Sequence, residues 1–451
     1  MQRAVFLAAI GSAATVAVAP CDAATFGTAF SPAELRGDLD ALWNAMLEVE
    51  TAPFLTSVRQ DVEARYHRVR ESLTEPMDVS AFWLRVAPVF AALNDGHVAI
   101  LPPFATVEGV RVPLRLRLDS NELIVDGSAD DAIAHGSVLV SIDDRPAVEL
   151  RDLALSVAGA QSVSLRRERV LVFGRLAVQA LLGLRRDYRV RWVAPDGTAH
   201  DRRIAAAIVP SPDDDGVPYT YHTLENDTIG YIDYRACVDR PLFAQFLSET
   251  FRTLREQRVR ALVIDVRENG GGDAALNDDL WSYVATRPFR QIGATISRVS
   301  GRLKREYGRA RYVAEFGAQA WEAKEGTLVR HDYPLIDPGA NPLRFAGPVY
   351  LLISARTFSS GMGCAIAAKD YGLATVVGEE TGEPVNGTGE LYTMRTPATR
   401  LLGGFPTKVF VSPIPSPEGQ GVVPDIIVPT MRADLIAGHD PVLDRVLREI
   451  A

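Results

Sequence analysis

Apolar residues recur at helical spacing in the first part of the chain. The stretch from Ser31 to Val49 opens with Ser31 as a helix cap, Pro32 in the first turn and Glu34 three residues after the cap, which is the pattern of a capping box. Large apolar side chains then return every three or four residues, and a second apolar stretch, "DVSAFWLRVAPVFAAL", has the same period. This pattern predicts an N-terminal helical region over residues 25–104.

Short alternating runs with turn residues between them, such as "ELIVDG" and "DYRVRWVAPDG", occupy residues 105–207 and predict a β-rich domain. The piece "AHGSVLVSIDDRPAVEL" resembles the carboxyl half of a PDZ domain, although Ser137 stands where an Asp is usual and Arg145 where the turn Gly is usual. Such a module binds an extended peptide by strand addition. A generic β-rich spacer is the alternative.

From residue 208 to 451 the pattern changes to apolar strands that alternate with helices. "TIGYIDY", "RALVIDVR", "PVYLLIS" and "LATVVGEE" are typical of buried strands, and "RPLFAQFLSETFRTLREQ" is typical of an amphipathic helix. The alternation predicts an α/β core. Residues 285–345 are polar and irregular in pattern, which predicts a lid or strap inserted into that core.

Composition, charge and the N-terminal pattern indicate the kind of partner and the location of the protein. The 451 residues are 47% hydrophobic and 23% charged, with a net charge of −9, so nucleic acid is not an expected partner. Arg3 followed by an apolar run to Ala19 and then small residues predicts a signal peptide over residues 1–24. An uncleaved anchor or a buried helix is the alternative reading. Pro20 before Cys21 disfavours lipidation, and no later segment has a transmembrane pattern. We therefore expect an exported, periplasmic or secreted protein.

No metal or other cofactor is expected from the sequence. Its three cysteines and seven histidines show no zinc-type spacing. Cys237 and Cys364 can pair in an oxidising compartment, but the sequence does not decide whether they do, and Cys364 is more typical of a small buried residue.

Two adjacent serines, Ser359 and Ser360, lie in "TFSSGM" where a buried strand should give way to a helix. Unpaired N–H groups and the positive end of the helix dipole favour an oxyanion there. A second stretch, "ENGGGD", places three glycines directly after a buried strand and suits either an oxyanion or a phosphate. The phosphate-loop pattern, G-x-G-x-x-G and G-x-S-x-G are all absent at these places.

Five short motifs in this order resemble the C-terminal processing peptidases (tail-specific proteases) and the core of the related tricorn protease. They are Leu93 to His97, Ile264 to Gly272, Thr357 to Tyr371, Val376 to Thr381 and Glu418 to Val428. The resemblance implies a ClpP/crotonase-like α/β core together with the N-terminal helical cap and the PDZ-like domain.

The same resemblance assigns candidate roles. It places the nucleophile on Ser359, with Ser360 as the alternative, and the oxyanion donors on the N–H of Ser360 with that of Gly270 or Gly271. The family's catalytic lysine would fall at Glu383 and Pro384, so a Ser–Lys dyad is not expected. Lys369 is expected to face a different turn.

Tricorn-type members use instead a histidine and a late glutamate, which correspond here to His97 as base and Glu418 as orienting acid. Tricorn has a serine beside its histidine, where this chain has Gly96, so the link to the glutamate needs direct contact or another group.

Two function classes remain open. The first is a serine-type endopeptidase that cuts unfolded or C-terminal segments of polypeptides. The second is a catalytically inactive relative that binds peptides or apolar ligands in the same cleft.

Three further residues near these motifs are predicted to be structural. Asp265 and Arg267 are predicted to pair and hold the glycine loop, and Asp425 is predicted to be a turn or capping residue.

Overall fold

The structure, a computed structural model, describes residues 27–103, 112–209 and 217–451. The predicted signal peptide lies outside these residues. The helices are α1 (Pro32–Val49), α2 (Arg59–Ser72), α3 (Val79–Ala91), α4 (Ala147–Val157), α5 (Val163–Arg169), α6 (Arg175–Leu182), α7 (Arg240–Glu256), α8 (Ala275–Ser282), α9 (Gly301–Phe316), α10 (Ala318–Glu322), α11 (Ser360–Tyr371), α12 (Arg432–Ala437) and α13 (Pro441–Ile450).

The strands form three sheets. They are β1 (Ala99–Leu101), β2 (Leu114–Asp119), β3 (Glu122–Ser128), β4 (Val138–Ile142), β5 (Arg145–Pro146), β6 (Asp187–Val193), β7 (Ala199–Ala205), β8 (Tyr219–Leu224), β9 (Ile229–Tyr234), β10 (Ala261–Asp265), β11 (Ala294–Arg298), β12 (Leu328–Asp332), β13 (Val349–Ile353), β14 (Thr375–Gly378), β15 (Gly387–Arg395), β16 (Leu402–Val411) and β17 (Ile426–Ile427).

The N-terminal helices form as the apolar period predicts. The capping box at the start of α1 is present, because the Ser31 hydroxyl accepts the N–H of Glu34 and the Glu34 carboxylate accepts the N–H of Ser31. The buried faces of α1 and α3 share one core with β1 and β16. Burial of these apolar faces supplies most of the stability of such helices.

An antiparallel sheet of order β2-β3-β4-β6-β7, with β5 on β4, forms the β-rich region. Helices α4, α5 and α6 lie between β5 and β6 in the chain, and a π-helical turn, Val170–Gly174, joins α5 to α6. Buried residues of β2, β3, β6, α4 and α6 make its core. The identity of this region as a PDZ-like domain stays a prediction.

The α/β layer is a sheet of order β17-β14-β13-β10-β9-β8, parallel from β17 to β9, with β8 antiparallel at its edge. Strands β10, β13 and β14 are neighbours, so their carboxyl ends open onto the same edge. The loops that leave β10, β13 and β14 there carry "ENGGGD", "ARTFSS" and "EETGEP". This edge is where an open α/β sheet ordinarily places its ligand.

The interval 285–345 is more regular than its sequence indicates. It contains β11 and β12, which join β1, β15 and β16 in a third sheet, and also α9 and α10. Leu303 and Tyr312 of α9 are buried in the core of the N-terminal helices. The sequence pattern of the interval is weak because the apolar residues of α9 are spread thinly among arginines. A lid role for the interval stays a prediction.

Candidate active site

Ser359 occupies a strained turn between β13 and α11. Its backbone has φ 54° and ψ −124°, a conformation that a residue with a side chain seldom adopts and that costs about 1–3 kcal/mol. The Ser359 N–H donates to Glu383 Oε2 at 2.9 Å, which helps to hold the turn. The turn places the residue directly at the positive end of α11.

The two serine hydroxyls have different environments. The Ser360 hydroxyl donates to the carbonyl of Gly272 at 2.6 Å. Within the described ranges the Ser359 hydroxyl makes no hydrogen bond, and its residue is partly exposed. Of the two candidates, Ser359 therefore has the available hydroxyl.

The glycine loop lies directly against the serine turn. The Phe358 N–H donates to the carbonyl of Asn269 at 2.9 Å. Gly271 has φ +103°, and a Cβ at this position would stand 2.7 Å from the Ser359 Cβ, so that only glycine fits.

One of the predicted oxyanion donors is already engaged. The N–H of Gly271 donates to Asn269 Oδ1 at 2.9 Å. The N–H groups of Gly270 and Ser360 donate no hydrogen bond within the described part of the chain. They are therefore the pair with donor capacity left for a ligand.

His97 is held in the turn between α3 and β1. Its N–H donates to Asp95 Oδ1 at 2.7 Å, and the Thr388 hydroxyl lies 2.8 and 2.7 Å from the two Asp95 oxygens. The imidazole is 1% exposed, and its ring centroid lies 4.5 Å from that of Phe358, the residue before Ser359. The turn and the packing together fix where the imidazole lies.

One carboxylate joins His97 to the serine turn. Glu383 Oε1 lies 3.0 Å from His97 Nδ1, a contact without the alignment of a full hydrogen bond, and Oε2 of the same group accepts the Ser359 N–H. The second ring nitrogen, Nε2, is buried and has no hydrogen-bond partner among the described residues. The contact with Glu383 leaves Nε2 as the nitrogen that can take part in proton transfer.

Electrostatics favour a basic imidazole. Burial lowers the pKa of His97, but the negative charges of Glu383 and Asp95 outweigh burial, so the pKa is raised above its usual value. A raised pKa makes His97 a stronger proton acceptor when it is neutral.

Glu418, the predicted orienting acid, lies in an exposed turn between β16 and β17. In the described residues it makes no hydrogen bond or ion pair with His97. Glu383 occupies that place, and the sequence did not identify it because it stands where the relatives' lysine falls. The signal available in the sequence was a carboxylate at the position where the resemblance places a catalytic lysine.

The surroundings of Gly96 explain why this chain has no serine at the position where tricorn has one. A Cβ at Gly96 would stand 2.9 Å from Phe358 Cε2 and 3.0 Å from Gln161 Oε1. A serine there would require Phe358 or Gln161 to move. Because Glu383 contacts His97 itself, no linking side chain is required between them.

The predicted pair of Asp265 and Arg267 is present, and it belongs to a network with two further residues. Arg267 Nη2 lies 2.6 Å from Asp265 Oδ2, and its Nη1 and Nη2 lie 2.8 and 2.7 Å from the two oxygens of Asp440, the cap of α13. The hydroxyl of Tyr231 also donates to Asp265 at 2.5 Å. This network anchors the start of the glycine loop to the last helix.

Lys369 pairs with Asp425, which also accepts the N–H of Val376 at 2.9 Å. Lys369 is thus directed away from the serine turn, as expected. Cys237 and Cys364 are free and buried.

The part of the chain that the structure describes contains no group of three or more His, Cys, Asp and Glu side chains arranged to hold a metal ion. In the same part, no helix is long and apolar enough to cross a membrane.

Comparison with known proteins points to one family of peptidases. Residues 228–428, which contain the parallel strands of the α/β layer with the glycine loop, the serine turn and Glu383, match the model of peptidase family S41. Over these residues the chain is similar to that family. The resemblance to the C-terminal processing peptidases is thereby confirmed, and the match indicates a serine-type peptidase, that is, a hydrolase. No curated protein gives a significant match.

Solved structures show a fold that this chain shares. A crystal structure of mature CPAF is 15% identical, with a TM-score of 0.61 over 90% of this chain and 94% of the other. Mature CPAF complexed with lactacystin is 15% identical, with a TM-score of 0.63 over 93% and 98%. The photosystem II D1 C-terminal processing protease is 16% identical, with a TM-score of 0.45 over 88% and 93%.

The likeness to CPAF extends over nearly the whole chain and shows a mixed, multi-domain fold of helices and sheets. A ClpP/crotonase-like identity of the α/β core stays a prediction.

Proposed function

We propose that this protein is an exported serine endopeptidase in which Ser359 is the nucleophile, His97 the general base and Glu383 the orienting carboxylate. One observation carries the proposal: the carboxylate of Glu383 contacts both His97 Nδ1 and the backbone of Ser359. A nucleophile, a base and a group that orients the base are the parts that acyl transfer to serine requires.

In the proposed reaction the Ser359 hydroxyl attacks the carbonyl carbon of the scissile peptide bond, and its proton passes to His97 Nε2. Glu383 stabilises the imidazolium at Nδ1. The N–H groups of Gly270 and Ser360, with the dipole of α11, stabilise the oxyanion. His97 then donates the proton to the leaving amine, and water hydrolyses the acyl-enzyme by the same sequence in reverse.

The finer parts of the proposal have separate supports. Export follows from the N-terminal pattern of residues 1–24, which predicts a signal peptide. A preference for unfolded or C-terminal polypeptide segments follows from the resemblance to C-terminal processing peptidases.

The test is hydrolysis of a permanently unfolded protein by wild type, Ser359→Ala and His97→Ala, with Ser360→Ala as the matched control. We expect loss of turnover in the first two variants and retention in Ser360→Ala, because the Ser360 hydroxyl is bonded to Gly272. Folding of each variant is checked by circular dichroism. Loss only in Ser359→Ala would exclude His97 as the base. Absence of turnover in folded wild type, on several substrates and at several pH values, would favour a cleft that only binds peptides or apolar ligands.

A further inference from the structure

A short segment of the β-rich region reaches the candidate active site from outside the α/β layer. Gln161 Oε1 accepts the N–H of Gly96 at 3.0 Å, and the Ser162 hydroxyl donates to the carbonyl of Gly382 at 2.6 Å. The segment, residues 160–169, thus contacts both the turn of His97 and the turn of Glu383. It ends in α5, whose last residue is Arg169.

Arg169 is a buried cation at this junction. Its residue is 7% exposed, and its Nε and Nη2 atoms have no hydrogen-bond partner among the described residues. The guanidinium carbon lies 4.7 Å from the ring centroid of Phe173 and 5.8 Å from that of Phe358. Phe358 packs on His97 with its own ring. Immediately after Arg169 the helix widens into a π-helical turn, a distortion often found at functional sites.

The two carboxylates that contact His97, those of Asp95 and Glu383, also influence this guanidinium. Asp95 and Glu383 both act on Arg169 electrostatically, and both act on His97 in the opposite sense to Arg169. Burial lowers the pKa of Arg169 to about 10, against the effect of the two carboxylates, so the side chain is charged at neutral pH. Glu50, a buried carboxyl beside Asp95, has a pKa raised well above its usual value by burial and by Asp95.

The charge balance of the cluster follows from these contacts. Asp95 and Glu383 are the acidic groups that contact His97, and Arg169 is the cation that opposes their effect on the pKa of the imidazole. If Arg169 were neutral, the two carboxylates would act on the imidazole unopposed, and they would favour its protonated form. A histidine that is held protonated cannot accept the proton of a serine.

We propose that Arg169 is a positioning residue of the active site, supplied by the β-rich region, that offsets the charge of Asp95 and Glu383 and thereby keeps His97 in its neutral, proton-accepting form. The catalytic consequence rests on the proposed function, whereas the coupling between Arg169 and His97 is measurable without turnover. The β-rich region thereby contributes a residue to the chemistry.

The experiment is a histidine NMR titration in the Ser359→Ala background, with the His97 signal assigned by its loss in His97→Asn. Arg169→Met removes the charge while filling the space among the phenylalanines, and Arg169→Lys keeps a charge there. Arg167→Met is the matched control, because Arg167 is exposed on the same helix.

We expect Arg169→Met to raise the pKa of His97 by about one pH unit, the size that an effective dielectric of about 20 gives for charges about 10 Å apart. Arg169→Lys and Arg167→Met should leave it within about 0.3 unit. An unchanged or lowered His97 pKa in Arg169→Met would overturn the proposal. If that variant does not fold, Arg169→Gln, which also removes the charge, is measured with the same two outcomes.

The activity readout separates this proposal from the proposed function. In the Ser359 enzyme, Arg169→Met should move the acid limb of the kcat/KM profile to higher pH by the same amount. A shifted His97 pKa without turnover in any protein would leave the coupling intact and refute the peptidase. Turnover with an unshifted acid limb and an unshifted His97 pKa would refute the coupling alone.

Discussion

Glu383→Gln is the perturbation that discriminates best between two readings of the site. Glutamine has nearly the same shape and keeps an oxygen that can accept the N–H of Ser359 at the observed 2.9 Å. It removes the negative charge 3.0 Å from His97 Nδ1. The variant therefore tests the charge and the orientation of His97 with little change to the serine turn.

The expected loss is large. In a Ser–His–Asp triad, replacing the carboxylate by an amide lowers kcat about 10⁴-fold, because the imidazole adopts the wrong tautomer and the imidazolium loses its partner. For Glu383→Gln we expect a decrease in kcat of about 10²–10⁴-fold, which corresponds to about 3–5 kcal/mol of transition-state stabilisation. KM should change much less, since Glu383 is buried and contacts His97 and Ser359.

The pH profile of kcat/KM tests the same variant independently, through the direction in which the pKa of His97 shifts. Glu383 raises the pKa of His97 in the wild type, so its loss should lower that pKa and move the acid limb of kcat/KM to lower pH. Steady-state hydrolysis of a fluorogenic peptide between pH 5 and 9 measures both effects. Glu418→Gln, at an exposed carboxylate, is the control and should retain activity within about twofold, as is usual for surface changes. Near wild-type kcat in Glu383→Gln with a hundredfold loss in Glu418→Gln would refute the reasoning and restore the assignment made from sequence.

Two further changes test the supports of the site. Gly271→Ala places a Cβ 2.7 Å from that of Ser359 at a φ of +103°, so we expect about 1–3 kcal/mol of destabilisation by overpacking with a larger fall in kcat than in 1/KM. Thermal unfolding and steady-state kinetics measure these, and unchanged kinetics would contradict the close approach. Asp440→Asn keeps a residue that can cap α13 but removes the negative charge that pairs with Arg267. We expect this substitution to lower the free energy of unfolding by about 1–2 kcal/mol at pH 7. Because the pKa of Asp440 is lowered, its stabilisation is present above about pH 4 and lost as pH falls through the folded value. Denaturant unfolding at pH 7 and pH 3 checks this, with Asp444→Asn on the same helix as control, and an equal loss in both variants at pH 7 would contradict it.

Local patterns predicted much of the architecture. The cap at Ser31 and the start of the helix after the two adjacent serines both follow from residues within a few positions of one another. The order of apolar strands and helices likewise predicted the α/β layer. The helices and strands within residues 285–345 were not predicted, because the helix α9 carries its few apolar residues among many charged ones and its period is weak.

The site was only partly predictable for a different reason. Ser359 and the glycine loop carry local signals, namely a strand-to-helix junction and a glycine run. Glu383 carries only the signal of a carboxylate where the resemblance places a lysine, and Arg169 carries none. Their roles depend on which loops of neighbouring parallel strands meet and on a segment from another sheet. His97 and Arg169 are 72 positions apart in the chain, and only the fold brings their charges together.

The central claim is that Ser359 is a nucleophile activated by His97. The most direct measurement is reaction of the folded protein with a fluorophosphonate, followed by mass spectrometry of the digested chain to locate the adduct. The account predicts one stoichiometric adduct on Ser359 that is lost in His97→Ala and retained in Ser360→Ala. An adduct on Ser360, or none on folded wild-type protein over the pH range of the assay, would contradict it.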